Sequence, residues 1–139
     1  MFMVLLLVVS GGTGYLWLRT SLPHIDGEIR LSGLSASVEV IRDRNAIPHI
    51  YAQTVHDMYF ALGFIHAQDR LFQMEFMRRI GSGRASEIFG AHAVGIDRLM
   101  RTLGLYRLAE DSWQRLSTPT RKALKSYASG VNAFIETHS

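Results

Sequence analysis

His66, Asp69 and Arg70 stand almost side by side in the string His66-Ala67-Gln68-Asp69-Arg70, inside a strongly apolar stretch. A carboxylate and a guanidinium so placed could serve as an acid–base pair or as a site that grips a substrate carboxylate. They could also belong to an ion-pair network that fixes helix position, because a buried charge without a partner is expensive. Glu75 and Arg79 have the i,i+4 spacing that lets them pair on a helix, and Arg78, Arg84 and Glu87 add partners nearby. With no nucleophile close in sequence, the network is the expectation, since such networks perturb charged groups much as active sites do.

The remaining reactive side chains carry less. His24, His49, His56, His66, His92 and His138 never fall in H-E-x-x-H or another tight ligand spacing. Ser82 lies between Gly81 and Gly83 without the G-x-S-x-G of a nucleophile elbow. Gly81-Ser82-Gly83-Arg84 also lacks the GK[ST] ending of a phosphate loop, so it reads as a helix stop and restart. The chain has no cysteine, which excludes disulfides, thiolate zinc sites and a cysteine nucleophile. No catalytic, cofactor-binding or metal-ligating residue is assigned.

The elements that must position these residues follow from the pattern of the chain. Its 139 residues, 47% apolar and 19% charged, suit one ordinary globular domain. A net charge of +3 is spread among arginines with acidic neighbours, and only Arg121, Lys122 and Lys125 cluster, so no nucleic-acid partner is expected. Residues 1–19 are uncharged up to Leu18, almost purely aliphatic over Met1–Val9, and closed by Tyr15, Trp17 and Arg19. That run is read as a signal anchor holding the chain to a membrane, or as a cleaved signal peptide. A linker over 20–26 follows, and the remaining chain, 27–139, is the folded portion.

Ile29 and Leu31 alternate with polar residues and predict a brief strand; SGLSAS then reads as a turn region. Val38, Val40 and Ile41 predict a strand ending at Arg42–Asp43. Asp43-Arg44-Asn45 is a turn signal, and His49–Ala52 a second strand, making a short hairpin. Thr54, with Asp57 in a capping-box position, opens a helix expected to reach Ile80 and to be buried along much of its length. Met58, Leu62, Ile65 and Phe72 mark one apolar face. Arg84–Phe89 predicts a helical turn, and two further helices meet at Gly104. A last helix is capped by Thr118, with Pro119 as its first residue and an apolar stripe of Leu124, Tyr127, Ala128, Val131, Phe134 and Ile135. A small sheet and several apolar helices do not bury one another easily in so few residues, so the chain reads as incomplete.

Three strings carry a resemblance: VEVIRDRNAIPHIYA (38–52), ALGFIHAQDRLFQMEFMRRIGSGRASEIFG (61–90) and YASGVNAFIE (127–136). In this order and spacing they resemble the opening blocks of the penicillin amidase family, over roughly 27–136. One departure is Ala46, where many relatives place glycine before Ile-Pro-His. The resemblance implies an N-terminal nucleophile hydrolase with a four-layer αββα fold, of which this chain is the first part. It is α+β overall but mostly helical here, with a short hairpin. It further implies an exported precursor that cuts itself, freeing a serine on a larger chain outside these residues. That serine attacks a linear amide, its own α-amino group acting as base and an oxyanion hole of the larger chain stabilising the intermediate. Substrates across the family include penicillins, cephalosporin side chains and N-acyl homoserine lactones. Acyl-pocket residues and calcium ligands, calcium being a possible cofactor of the whole protein, lie outside this segment. The partners implied are the larger chain and a small N-acyl substrate. The alternative expectation is a membrane-anchored, non-enzymatic helical module that docks a partner through an uncovered apolar face.

Overall fold

The computed structural model describes residues 2–20 and 25–138, with side chains for 10–19 and 25–138. The chain divides into two compact units, Met1–Arg30 and Leu31–Ser139. In the first, helix α1 spans Phe2–Thr20. Among the described residues no helix is long and apolar enough to cross a membrane. The membrane anchor expected of 1–19 is therefore not supported; the polar and glycine-rich Ser10–Gly14 stretch breaks the apolar run midway. Most of the expected linker, with His24, lies outside the described residues. No strand forms at Ile29–Leu31. Alternation alone is not enough where, among the described residues, no strand pairs with this segment, and Ile29 is left exposed.

Among its described residues the second unit holds a two-stranded antiparallel sheet and five α-helices, so it is α+β and mostly helical. Strands β1 (Glu39–Arg42) and β2 (Pro48–Tyr51) pair with Val40 opposite Ile50 and Arg42 opposite Pro48. Pro48 sits at the first position of its strand, where its missing N–H breaks no ladder. The turn is organised by Asp43, whose Oδ1 accepts the N–H groups of Asn45 (2.8 Å) and Ile47 (2.9 Å). Ala46 closes it at φ 61°. That is the left-handed region, which explains why glycine suits this position.

Helix α2 (Val55–Ser82) is capped as its sequence predicts: Thr54 Oγ1 accepts from Asp57 N–H at 3.0 Å and donates to Asp57 Oδ2 at 2.8 Å. Gly83, in the left-handed conformation, ends it. Inside, Arg70 leaves helical geometry (φ −144°, ψ 25°), so the helix is two segments joined at a kink. The buried stripe is Phe60, Phe64 and Ala67 with Ala61 and Ile65, all before the kink. Beyond it Phe72 is 72% exposed, and the face expected from Met58, Leu62, Ile65 and Phe72 is only partly buried.

The helix that covers the buried stripe is α6 (Thr118–His138). Its cap is Ser117 rather than Thr118: the Ser117 carbonyl accepts from Arg121 N–H at 3.0 Å, and its Oγ faces the Thr120 N–H at 3.3 Å. Helices α2 and α6 meet at two glycines. A Cβ on Gly63 would lie 2.0 Å from the Tyr127 carbonyl oxygen, and one on Gly130 would lie 1.9 Å from that of Phe60. Backbone therefore touches backbone, and Phe64 packs edge-on to Phe134 at 5.4 Å beside the crossing. Leu31, Val40, Leu71, Val131 and Ala133 complete this core. The buried face of α6 runs through Ser126, Gly130 and Phe134, leaving Leu124, Ala128 and Ile135 of the expected stripe exposed.

Between these helices lie α3 (Ser86–Phe89), a 3-10 turn (Gly90–Ala93), α4 (Val94–Leu103) and α5 (Leu105–Arg115). Gly104, at φ 69°, makes the expected bend between α4 and α5. Both are amphipathic, yet Leu99, Leu103, Leu105 and Leu108 are about half exposed or more.

Candidate functional site

The structure separates the three residues of the His-Ala-Gln-Asp-Arg string. His66 Nδ1 meets the Tyr127 hydroxyl of α6 at 3.0 Å, and burial pushes that phenol above its ordinary pKa. Asp69 turns to the hairpin, where Arg42 donates from Nη2 to Oδ1 at 2.8 Å and from Nη1 to Oδ2 at 3.0 Å. The same guanidinium reaches Gln68 Oε1 (3.0 Å) and the Ala46 carbonyl (3.2 Å). Arg42 thus ties the end of β1 to the residues just before the kink. Arg70, at the kink, is exposed.

The second expected cluster forms as one chain of charges. Arg78 Nε and Arg79 Nε each donate to Glu75 at 2.7 Å, Arg79 continues to Glu87, and Arg84 Nε donates to Glu87 at 2.7 Å. The Arg78 guanidinium, followed by Arg79, lowers the Glu75 carboxyl to a pKa of about 2, and Arg84 lowers Glu87 in the same way. This network locks the end of α2 to α3 across the glycine turn. Ser82 bonds back to the Arg78 carbonyl at 2.9 Å, as a helix-end hydroxyl does.

Two buried carboxylates that the sequence reading did not single out as sites do similar work. Asp57 is fully buried. Besides capping α2, it accepts from Ser35 N–H at 2.8 Å and Ser35 Oγ at 3.2 Å, and it meets His56 Nδ1 at 3.2 Å. The Ser35 N–H above all, with the hydroxyl and imidazole donors, holds its carboxyl far below the usual range against the opposing effect of burial. Asp97 of α4 accepts the Ala85 (2.8 Å) and Ser86 (2.9 Å) N–H groups and so caps α3, which has no side-chain cap of its own. Burial pushes Asp97 up, but the bonds from Ser86 and Ala85 prevail and leave it below its ordinary value. Arg101, one turn on, donates to the Gly83 carbonyl at 2.8 Å. Only the cap at Thr54 hinted at Asp57; nothing near Asp97 in sequence signals a partner eleven or twelve residues earlier.

A general base works best with a pKa near the operating pH. Asp57, Glu75, Glu87 and Asp97 are all shifted the other way, and each already accepts hydrogen bonds from fixed donors. In the structure they hold segments in place. No three His, Asp or Glu side chains converge among the described residues as a set that could hold a metal ion.

The family model for penicillin amidase matches residues 37–139. The chain is 47% identical over 118 residues to the penicillin acylase 2 proenzyme of Pseudomonas sp. (strain SE83), covering 85% of this chain and 15% of that protein. It is 42% identical over 117 residues to the acyl-homoserine lactone acylase QuiP of Pseudomonas syringae pv. tomato, covering 84% of this chain and 14% of that protein. Among solved structures, a thermostable penicillin G acylase from Alcaligenes faecalis matches with a TM-score of 0.65 and 33% identity, over 73% of this chain and 54% of that one. The chain thus spans about 15% of the length of the curated relatives it matches.

Proposed function

Because the chain belongs to the penicillin amidase family, we propose that it is the N-terminal part of an exported amidohydrolase that cleaves linear amides. Its fold is the corresponding part of the N-terminal nucleophile hydrolase architecture. The nucleophile of this reading is a serine outside these residues, set free at a chain terminus by self-cleavage of the precursor. Its α-amino group takes the hydroxyl proton as the oxygen attacks the amide carbonyl. The amine leaves, and water then releases the acyl acid. Acyl side chains of β-lactams and N-acyl homoserine lactones are the substrate classes, after the printed names of the relatives.

The observation that carries this reading is the match over 118 residues to a penicillin acylase proenzyme. The half-exposed leucines of α4 and α5 support a partner chain, since contiguous apolar surface marks an interface. The aliphatic run Met1–Val9 supports export to the periplasm. On this reading the present chain supplies scaffold: its carboxylates and arginines fix the hairpin, α2 and α3 against one another. The test is to express the complete native reading frame, determine the N-termini of the mature product by mass spectrometry, and assay an N-acyl anilide. A new N-terminal serine is expected, and its replacement by alanine should abolish both processing and turnover. A mature protein that hydrolyses the anilide without any terminal nucleophile would overturn the assignment.

A further inference from the structure

A cleft of about 540 Å³ opens where the first turns of α2 and α6 come together, and neither the charge-network residues nor the α4 and α5 leucines line it. Its size lies within the roughly 300–1,000 Å³ typical of small-molecule sites. Val55, Pro119 and Ala123 give it an apolar floor, while His56, Lys122 and Lys125 stand around it. Ser126 and Ser129 add hydroxyls. Lys122 and Lys125 are exposed and form no salt bridge among the described residues. Asp57, next to His56 in sequence, is fully buried and already occupied by Ser35, Thr54 and His56. Among the described residues no acidic side chain lines the cleft.

We propose that this cleft binds a small organic monocarboxylate, its apolar body on Val55, Pro119 and Ala123 and its carboxylate between Lys122, Lys125 and His56. The combination selects for both parts of such a ligand. An inorganic anion finds the charge but gains nothing from the apolar floor, and a neutral amphiphile finds the floor but leaves the ammonium groups without a counter-charge. The site depends on the packing of α2 against α6 and not on amidase chemistry, so it can be tested whether or not the proposed function holds.

The experiment is equilibrium dialysis of radiolabelled octanoate at low ionic strength, using the protein translated from the complete native reading frame. Octanamide and inorganic phosphate serve as competitors. Saturable octanoate binding is expected, with octanamide and phosphate each at least about tenfold weaker. The double variant Lys122→Gln, Lys125→Gln should lose that binding by a similar factor while keeping its circular dichroism spectrum. Ala123→Leu, which fills the floor and leaves the charge intact, should lose it too. Equal binding of octanamide and octanoate, or unchanged binding in both variants, would overturn the proposal. Absence of saturable binding in the parent protein would do the same.

Discussion

Arg42 and Asp69 form a two-pronged ion pair, 2.8 and 3.0 Å, that joins the last residue of β1 to the residue preceding the kink in α2. Each belongs to a different one of the three strings by which the family is recognised. The pair joins the first and second strings, as His66 and Tyr127 join the second and third. Removing either partner should weaken the attachment of the hairpin. Both side chains are partly accessible, so a double-mutant cycle with Arg42→Ala and Asp69→Asn should give a coupling of about 1 kcal/mol. Asp69→Asn should leave kcat/KM of the complete enzyme unchanged. Loss of turnover at full stability would instead make Asp69 catalytic.

The crossing of α2 and α6 depends on Gly63 and Gly130, where any side chain would meet a backbone carbonyl. Backbone cannot swing aside as a side chain can, so the helices would have to separate along the whole contact. Gly63→Ala or Gly130→Ala should each destabilise the protein by about 3 kcal/mol, the upper end of the overpacking range. Denaturant unfolding checks this. A change within experimental error would mean that the helices do not approach so closely.

Ala46 holds a left-handed conformation at φ 61° that an L side chain adopts at a cost of roughly 1–2 kcal/mol. Ala46→Gly should therefore raise stability by about 1 kcal/mol, the gain being reduced by the greater freedom of glycine in the unfolded chain. Ala46→Val should lower it. Thermal melting of the two variants should move in opposite directions.

Acid should loosen the protein through its anchored carboxylates. Asp57 and Glu75 have ordinary values of 3.8 and 4.5, and both are lowered in the fold, Glu75 to about 2. Across that interval the unfolded chain binds more protons than the folded one, so stability rises with pH. The contribution is complete above about pH 4.5, and it is lost as pH falls through 2 for Glu75 and lower still for Asp57. Melting temperatures measured from pH 6 to pH 2 should fall less steeply in Asp57→Asn than in the parent. Identical slopes would show that Asp57 is not held in this way.

Much of this was legible in the residues, and the limits have physical causes. The hairpin, the Thr54 cap, the Gly104 bend and the Glu75–Arg79 pair are local, set by neighbours in sequence, and all are present. The kink at Arg70 was not legible, because neither proline nor glycine marks it and its neighbour Asp69 is held by a residue 27 positions earlier. The Asp97 cap failed to show for the same reason. Leu124 and Ile135 have the spacing of a core stripe, yet they are exposed here, because periodicity reveals an apolar face but not what covers it. The pairing expected around Glu75 and Glu87 forms, but His66, Asp69 and Arg70, expected to be buried with it, are exposed, His66 meeting Tyr127 and Asp69 pairing with Arg42 instead.

The central claim is that this chain is scaffold for a nucleophile carried elsewhere. It is tested most directly by comparing hydrolysis of a chromogenic phenylacetyl or fatty-acyl anilide by residues 1–139 and by the protein translated from the complete native reading frame. Turnover by the complete protein and none by residues 1–139 is the predicted result. Sustained turnover by residues 1–139 alone would contradict it.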